Sequence, residues 1–119
     1  MWLFTRYGFF SIACARTRDG SLDKDTVMVR ARRRDHLANL QRRFPALAEA
    51  EVFTLPERDY RYRLIVPKAI WAAVVGELAQ EQEWSNFKNE AARFTGREGS
   101  SYTHALHEVW QVMFALQRP

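Results

Sequence analysis

The order of strand-like and helix-like segments is the feature that most restricts the fold of this chain. Apolar and polar side chains alternate with a period of two over residues 9–16 and again over residues 26–32, which is typical of half-buried strands. A segment that begins at Asp35, as N-cap or first-turn acid, then carries apolar residues at helical spacing. Pro45 is expected to end this helix, because the residue before a proline is driven out of the helical region.

The same plan then repeats. Residues 51–55 and 60–66 are predicted strands separated by a turn, and Pro67 suits the first position of a helix. The helix after Pro67 has one apolar face at the spacing i, i+3, i+4, i+7, formed by Trp71, Val74, Val75 and Leu78.

Two further helices are predicted in the last third of the chain. Ser85 is a suitable cap for a short helix, and the glycine-rich stretch 95–101 separates that helix from a final one. The final helix carries an apolar stripe of the kind that packs against a core, formed by Leu106, Val109, Trp110, Met113 and Leu116.

These segments predict an α+β fold in the order ββαββα, with extra C-terminal helices. Moving the first strand to the end of that order gives the ferredoxin-like plait, so we predict a circularly permuted ferredoxin-like plait with helices on one sheet face. The alternative is an α+β sandwich with a different strand order. A chain of 119 residues with 47% hydrophobic content is expected to form a single domain over residues 1–119.

Several classes of protein are disfavoured by what the sequence lacks. No stretch approaches the ~18 apolar residues of a membrane span, and the N-terminal segment does not have the pattern of a secretory signal. Cys14 is the single cysteine, so no internal disulfide forms and a cytoplasmic location is predicted. Its place beside Phe10 and Ile12 indicates a core residue rather than a nucleophile. No catalytic triad, P-loop or dinucleotide fingerprint is present, so we expect no cofactor and favour a protein without enzymatic activity.

Arginine is concentrated in the first part of the chain. Residues 1–45 hold ten basic and four acidic side chains, a surplus of six, whereas residues 46–119 hold eight and ten. A basic cluster can neutralise phosphates and release counterions. The alternative is a solvated surface in an arginine-biased proteome, since the chain has fifteen Arg and three Lys. The cluster consists of Arg30, Arg32, Arg33, Arg34, Arg42 and Arg43.

Two arginine-bearing strands form the first candidate site. In the predicted strand 60–66, arginine and tyrosine alternate, and Arg30 and Arg32 alternate in the same way. If these strands are neighbours, four guanidiniums share one face and can hold a phosphate or carboxylate bidentately. The alternative is cross-strand pairing with acids such as Asp59 or Glu51. The predicted anion-binding arginines are Arg30, Arg32, Arg61 and Arg63.

Aromatic side chains near these arginines are candidates for stacking. Residues 7–12 resemble part of the signature strand of RNA-recognition motifs, whose aromatics stack on bases, although the glycine that the motif has between its basic residue and its first aromatic is missing between Arg6 and Tyr7. Phe9 can stack on a base if its sheet face is open; the alternative is that Phe9 packs beneath the C-terminal helix. The predicted stacking residues are Phe9, Tyr60 and Tyr62.

The turn at residues 85–88 is a second candidate site for an anion. A helix capped by Ser85 presents free backbone N–H groups and the positive end of its dipole. Lys88 in the first turn is unfavourable for that dipole but suits an anion, so Ser85, Asn86 and Lys88 are predicted anion-binding residues. The alternative is a plain cap with Lys88 in solvent.

The histidines are a weaker candidate. His104 and His107 are one helical turn apart and Glu108 is adjacent, but a metal site needs a third ligand and His36 is the remaining histidine. We therefore predict no bound metal.

Several segments together resemble a family of small, uncharacterised bacterial proteins, and the resemblance covers nearly the whole chain. It implies a bacterial source and a free-standing domain rather than an activity. The segments are residues 1–5, 29–32, 59–63 and 85–88, followed by Tyr102 and residues 106–110.

The sequence thus favours a small binding module for an anionic partner, RNA or a nucleotide. A second hypothesis is a protein-interaction or dimerising module that uses exposed aromatics, because a small fold has little interior in which to bury them. A third is a small enzyme with an unrecognised site. The aromatics proposed for the second hypothesis are Trp2, Phe4, Trp110 and Phe114.

Overall fold

The structure is a computed structural model that describes residues 1–118, and these residues form two compact units. The sheet unit contains Met1–Phe4 and Gly8–Gln82, and the helical unit contains Thr5–Tyr7 and the chain from Glu83 onward. The predicted α+β class is confirmed. The prediction of a single domain stays a prediction.

Within residues 1–118, five strands form one antiparallel sheet in the order β1-β2-β3-β5-β4. The first strand of the sheet, β1, precedes the first predicted strand, residues 9–16; it is a separate edge strand that turns into β2 at residues 6–7. The opposite edge strand, β4, is shorter than predicted. The permuted plait stays a prediction. The strands are β1 Trp2–Thr5, β2 Gly8–Ala13, β3 Thr26–Ala31, β4 Phe53–Thr54 and β5 Tyr62–Pro67.

The helices begin and end close to their predicted positions. Pro45 ends α1, as predicted, and also begins the short α2. Pro67, predicted as the first helical residue, is the last residue of β5, and α3 starts one residue later. The glycine-rich break is a 3₁₀ turn, Gly96–Gly99. The helices are α1 Arg34–Arg43, α2 Pro45–Ala48, α3 Lys68–Gln80, α4 Phe87–Thr95 and α5 Ser100–Phe114.

The core of the sheet unit lies on one face of the sheet. Ile12 pairs with Val29, which in turn pairs with Leu64, and the alternation of each strand buries these residues against α1 and α3. The helices contribute Leu37, Leu40, Trp71, Val74 and Leu78. The predicted buried face of α3 is confirmed for Trp71, Val74 and Leu78, whereas Val75 is half-buried. The other sheet face holds the arginines.

A glycine and a histidine fix the start of β2. Gly8 has φ +150°, and a Cβ atom there would lie 2.2 Å from Cγ of His36, so glycine is required. The backbone N–H of Phe9 donates to Nδ1 of His36 at 3.3 Å. Burial of the imidazole lowers the pKa of His36, which keeps Nδ1 unprotonated and able to accept this hydrogen bond. The contact holds the backbone that carries Phe9.

The helical unit contains an ion-pair cluster. Arg6 donates to Glu90 at 2.8 Å, and Nε of Arg93 donates to the same carboxylate at 2.9 Å. The hydrogen bonds from Arg93 and Arg6 lower the pKa of Glu90 to about 2. Nearby, the hydroxyl of Tyr102 donates to the carbonyl of Thr5 at 2.7 Å.

The apolar stripe predicted for the last helix is only partly buried. Tyr102 and Leu106 are buried in the first half of α5. The predicted core residues further along are exposed, so the expected packing of this half is wrong for the described residues. Helical spacing shows which side chains share a face, but does not show whether anything covers that face. The exposed members of the stripe are Val109, Trp110, Met113 and Leu116.

Candidate anion-binding site

The sheet face opposite the core carries a row of residues that are direct neighbours across four strands. Ser11 of β2 is opposite Arg30 of β3, Arg30 is opposite Arg63 of β5, and Arg63 is opposite Phe53 of β4. Residues directly opposite in a ladder point to the same side of the sheet. We call this side, with Arg32, Tyr60 and Phe9 included, the arginine face.

Arg30 is held in a defined orientation at the centre of the arginine face. Its Nη2 donates to the hydroxyl of Ser11 at 2.8 Å and its Nε donates to the carbonyl of Ser11 at 3.3 Å. The guanidinium carbon lies 4.8 Å from the centre of the Tyr60 ring, a cation–π distance. Arg30 is thus positioned by hydrogen bonds on one side and by a ring on another.

Tyr60 contacts two predicted arginines, Arg30 of β3 and Arg32, which follows β3. The guanidinium carbon of Arg32 lies 4.4 Å from the centre of the Tyr60 ring and 5.9 Å from that of Phe9. Tyr60 is only 4% exposed, so its ring is a fixed support. Among residues 1–118, the Arg32 guanidinium has no hydrogen-bond acceptor, and its donors remain available.

The structure does not place the two predicted stacking tyrosines on the same face. Tyr60 contacts Arg30 and Arg32, but Tyr62 is opposite the buried Ala31 in the ladder and points to the core side. The alternation predicted from residue 60 fails because β5 begins only at Tyr62. Tyr60 therefore belongs to the turn before the strand. Its ring does not follow the alternation of β5 and lies against Arg30 and Arg32.

Arg63 is the least satisfied member of the arginine face. Its Nη2 donates to the carbonyl of Tyr60 at 3.2 Å, its Nη1 lies 3.6 Å from Sδ of Met28, and its buried Nε has no hydrogen-bond partner among the described residues. Burial, together with the charges of Arg30 and Arg58, lowers the pKa of Arg63. Like charges directly opposite in a sheet are destabilising, so this arrangement costs stability.

No carboxylate among residues 1–118 forms an ion pair with Arg30, Arg32 or Arg63. The alternative of cross-strand pairing with Asp59 or Glu51 is therefore wrong for the described residues. Asp59 instead accepts a hydrogen bond from the backbone of Tyr60. Other members of the basic cluster do have acids: Arg33 pairs with Asp35 and Arg43 pairs with Glu81.

Arg61 is placed apart from the other three arginines. It is exposed and precedes β5, and its carbonyl accepts from the backbone of Leu55. Within the described residues, no hydrogen bond or ring contact links its side chain to the arginine face. The structure thus brings together Arg30, Arg32 and Arg63.

The predicted residues of the turn before α4 belong to the helical unit. Asn86, not Ser85, caps the helix: its side chain accepts from the backbone of Asn89 at 3.0 Å. Nζ of Lys88 lies 4.5 Å from the centre of the Trp110 ring, so the alternative of a fully solvated Lys88 is also wrong. Ser85 is exposed.

The histidines of α5 have partners of their own. Nε2 of His104 lies 2.9 Å from Glu108, and His107 stacks on Trp110. Among residues 1–118, no group of three or more metal-binding side chains could hold an ion. The same residues include no helix with the length and apolar character needed to cross a bilayer.

An aromatic cluster that was not predicted from the sequence lies at the edge of the arginine face. Phe4 stacks on Phe9 with ring centres 4.5 Å apart, and Trp2 meets Phe9 edge-on at 5.8 Å. Phe53 is exposed at the opposite edge. The signal that was available is the period of two between Trp2 and Phe4, which assigns both to one face of β1.

Comparison of the chain with family models, curated proteins and solved structures finds no match. The resemblance to small bacterial proteins therefore stays a prediction.

Proposed function

We propose that this protein is a cytoplasmic binding module that holds an anionic partner, RNA or a nucleotide, over its arginine face. One observation carries the proposal: three guanidiniums are gathered on one sheet face, and none of them forms an ion pair with a carboxylate of the described residues. Guanidinium donors match phosphate geometry bidentately. The three arginines are thus arranged to donate to an anion that a bound partner supplies.

The way in which the arginines are held supports binding rather than simple solvation. Ser11 and Tyr60 fix Arg30, and Tyr60 also supports Arg32. A side chain that is already ordered loses less conformational entropy when it binds. A phosphate on this face gives Arg32 an acceptor and offsets the repulsion between Arg30 and Arg63.

The proposal is tested by the affinity for a labelled single-stranded oligonucleotide, measured by fluorescence anisotropy at several salt concentrations. We expect replacement of both Arg30 and Arg32 by Gln to weaken binding about tenfold or more and to lower the steepness of the salt dependence. Arg97 and Arg118, two exposed arginines of the helical unit, provide the control, since replacing both by Gln removes the same two charges and should change little.

Two outcomes would contradict the proposal. One is the absence of binding to RNA, DNA and nucleotides at low salt. The other is an equal loss of affinity in the control that replaces Arg97 and Arg118, which would show an effect of net charge and not of this face.

The order of the inner strands supports the permuted plait as a second part of the proposal. In a ferredoxin-like plait, the last strand lies beside the first, the first beside the third, and the third beside the second. Moving the last strand to the front converts this arrangement to the adjacency β2-β3-β5-β4, which is found here.

A protein-interaction module is the second candidate function, and the end of α5 favours it. Val112 is 70% exposed and Leu116 is 75% exposed, and over residues 109–116 Gln111 is the single polar side chain. A helix that is apolar on all sides is normally covered. In this candidate function, a second copy of the chain packs on the apolar end of α5.

Light scattering at micromolar concentration tests this second candidate. We expect the mass of a dimer, and Val112→Glu should convert it to a monomer because the new charge would be buried in the interface. Gln111→Glu adds the same charge on the polar position of the helix and should leave the dimer intact. A monomer mass for the unmodified chain contradicts the candidate.

A further inference from the structure

Trp2 is an exposed ring that is nevertheless held in place at the edge of the arginine face. Met1 and Ile12 exchange two backbone hydrogen bonds, of 2.8 and 2.9 Å, so the antiparallel register puts Trp2 beside Ser11. The Trp2 ring is nearly perpendicular to that of Phe9 at an angle of 88° and is 71% exposed. Its edge contact orients the indole while its faces remain accessible.

Adding Trp2 extends the row across the whole sheet. The row has an exposed ring at each edge, Trp2 on β1 and Phe53 on β4, with Arg30 and Arg63 between them. Four steps between strands of about 4.8 Å each make the row roughly 19 Å long. The arginines therefore lie near the centre of the row, and the aromatic rings lie at its two ends.

This arrangement distinguishes among anionic ligands. A free phosphate or a polyphosphate would use the arginines but has nothing to place on the rings. An acidic peptide offers carboxylates without flat aromatic faces in register with them, and a duplex hides the faces of its bases. A single strand presents phosphates together with unstacked bases, which aromatic side chains accept irrespective of sequence.

We infer that the ligand of the arginine face is a single-stranded nucleic acid that crosses the strands, with one base stacked on Trp2 and its phosphates on Arg30, Arg32 and Arg63. The inference rests on the proposed anion-binding function and adds the class of ligand. Phe53 offers the second stacking position at the far edge of the row.

The experiment compares three probes with the full chain: single-stranded oligothymidylate, an abasic strand of the same length, and a duplex of the same length. We expect oligothymidylate to bind most tightly. Trp2→Ala should reduce its affinity about tenfold, a usual effect for the loss of one stacked base, and should leave the affinity for the abasic strand unchanged. Trp2→Phe, which keeps a ring, should restore most of the loss.

Trp110→Ala is the matched control, because Trp110 is an exposed tryptophan of the helical unit; it should not alter binding to any probe. Phe53→Ala provides an independent variant at the other edge and should act in the same direction as Trp2→Ala. Thermal melts of all variants establish that they are folded.

The outcomes separate this inference from the function on which it rests. If the abasic strand or the duplex binds as tightly as oligothymidylate, or if Trp2→Ala weakens all probes equally, base stacking is overturned while the anion site stands. If none of the probes binds at low salt, the proposed function fails and this inference fails with it.

Discussion

The helical unit and the sheet unit each contain arginines packed on aromatic rings, but only one of the two clusters contains its own anion. Arg6 lies 5.2 Å from the centre of the Trp84 ring and also contacts the rings of Tyr7 and Phe94. Its charge is met by Glu90. On the arginine face, Arg30 and Arg32 rest on Tyr60 in a comparable way, with no carboxylate at the centre within the described residues.

Arginine–aromatic contacts alone therefore do not show whether a cluster is structural or available for a ligand. Glu90 accepts from both Arg6 and Arg93, so that cluster is neutralised internally and stabilises its unit. The arginine face has the same kinds of residue but retains unused donors. Whether an acid such as Glu90 lies beside the guanidiniums decides between a neutralised structural cluster and one with donors available for a ligand.

The largest expected effect comes from removing that acid. Glu90→Gln removes the carboxylate that accepts from the largely buried guanidinium of Arg6, and removing one partner of a buried ion pair is strongly destabilising. We expect the thermal midpoint at pH 7 to fall by several degrees. The contribution of Glu90 should be present in full above the ordinary glutamate pKa and lost as the pH falls through about 2.

Circular dichroism melts of the variant and the unmodified chain at pH 7 and at pH 2 measure this effect, and the difference between the two proteins should shrink in acid. Glu98→Gln is the matched control, because Glu98 is an exposed acid of the same unit. Equal midpoints for the two variants at pH 7 would show that the helical cluster is not structural.

A smaller effect is expected when the arginine face is given the acid that it lacks. Met28 is next to Arg63, with Sδ 3.6 Å from Nη1, and glutamate is similar to methionine in length. Met28→Glu should pair with Arg63 and stabilise the fold by roughly 0.5 kcal/mol. It should also weaken the binding of oligothymidylate about tenfold, because the new carboxylate would neutralise Arg63.

Met28→Gln serves as the control, since it has the same size without the charge. Denaturant unfolding and anisotropy titrations on the two variants separate the roles of shape and charge. An unchanged affinity in Met28→Glu would indicate that Arg63 does not take part in binding.

The fold was largely predictable because the sheet unit buries its core by strict alternation. The period of two in β2 and β3 identified which side chains face the helices, and the observed ladder follows it. Sequence could not predict the exposed half of α5, because periodicity shows which side chains share a face but not whether another element packs on it. It predicted Ser85 and not Asn86 as the cap of α4, since both residue types cap helices well.

The candidate site was predictable only in part. Alternation correctly placed Arg30 and Arg63 on the same face, because both lie inside regular strands. It failed for Tyr60 and Arg61, which precede β5, because a turn does not continue the period of the strand that follows it. Within residues 1–118, no acid forms an ion pair with these arginines, and this depends on distant segments that local patterns do not report.

Because Arg30 and Arg63 are direct neighbours across β3 and β5, the protein on its own carries like-charge repulsion inside its sheet. Under the proposed function, buffer anions such as phosphate and sulfate should relieve that repulsion by binding the face, and an anion that binds only the folded chain stabilises it. We therefore expect the unfolding midpoint to depend on the identity of the salt as well as on its ionic strength.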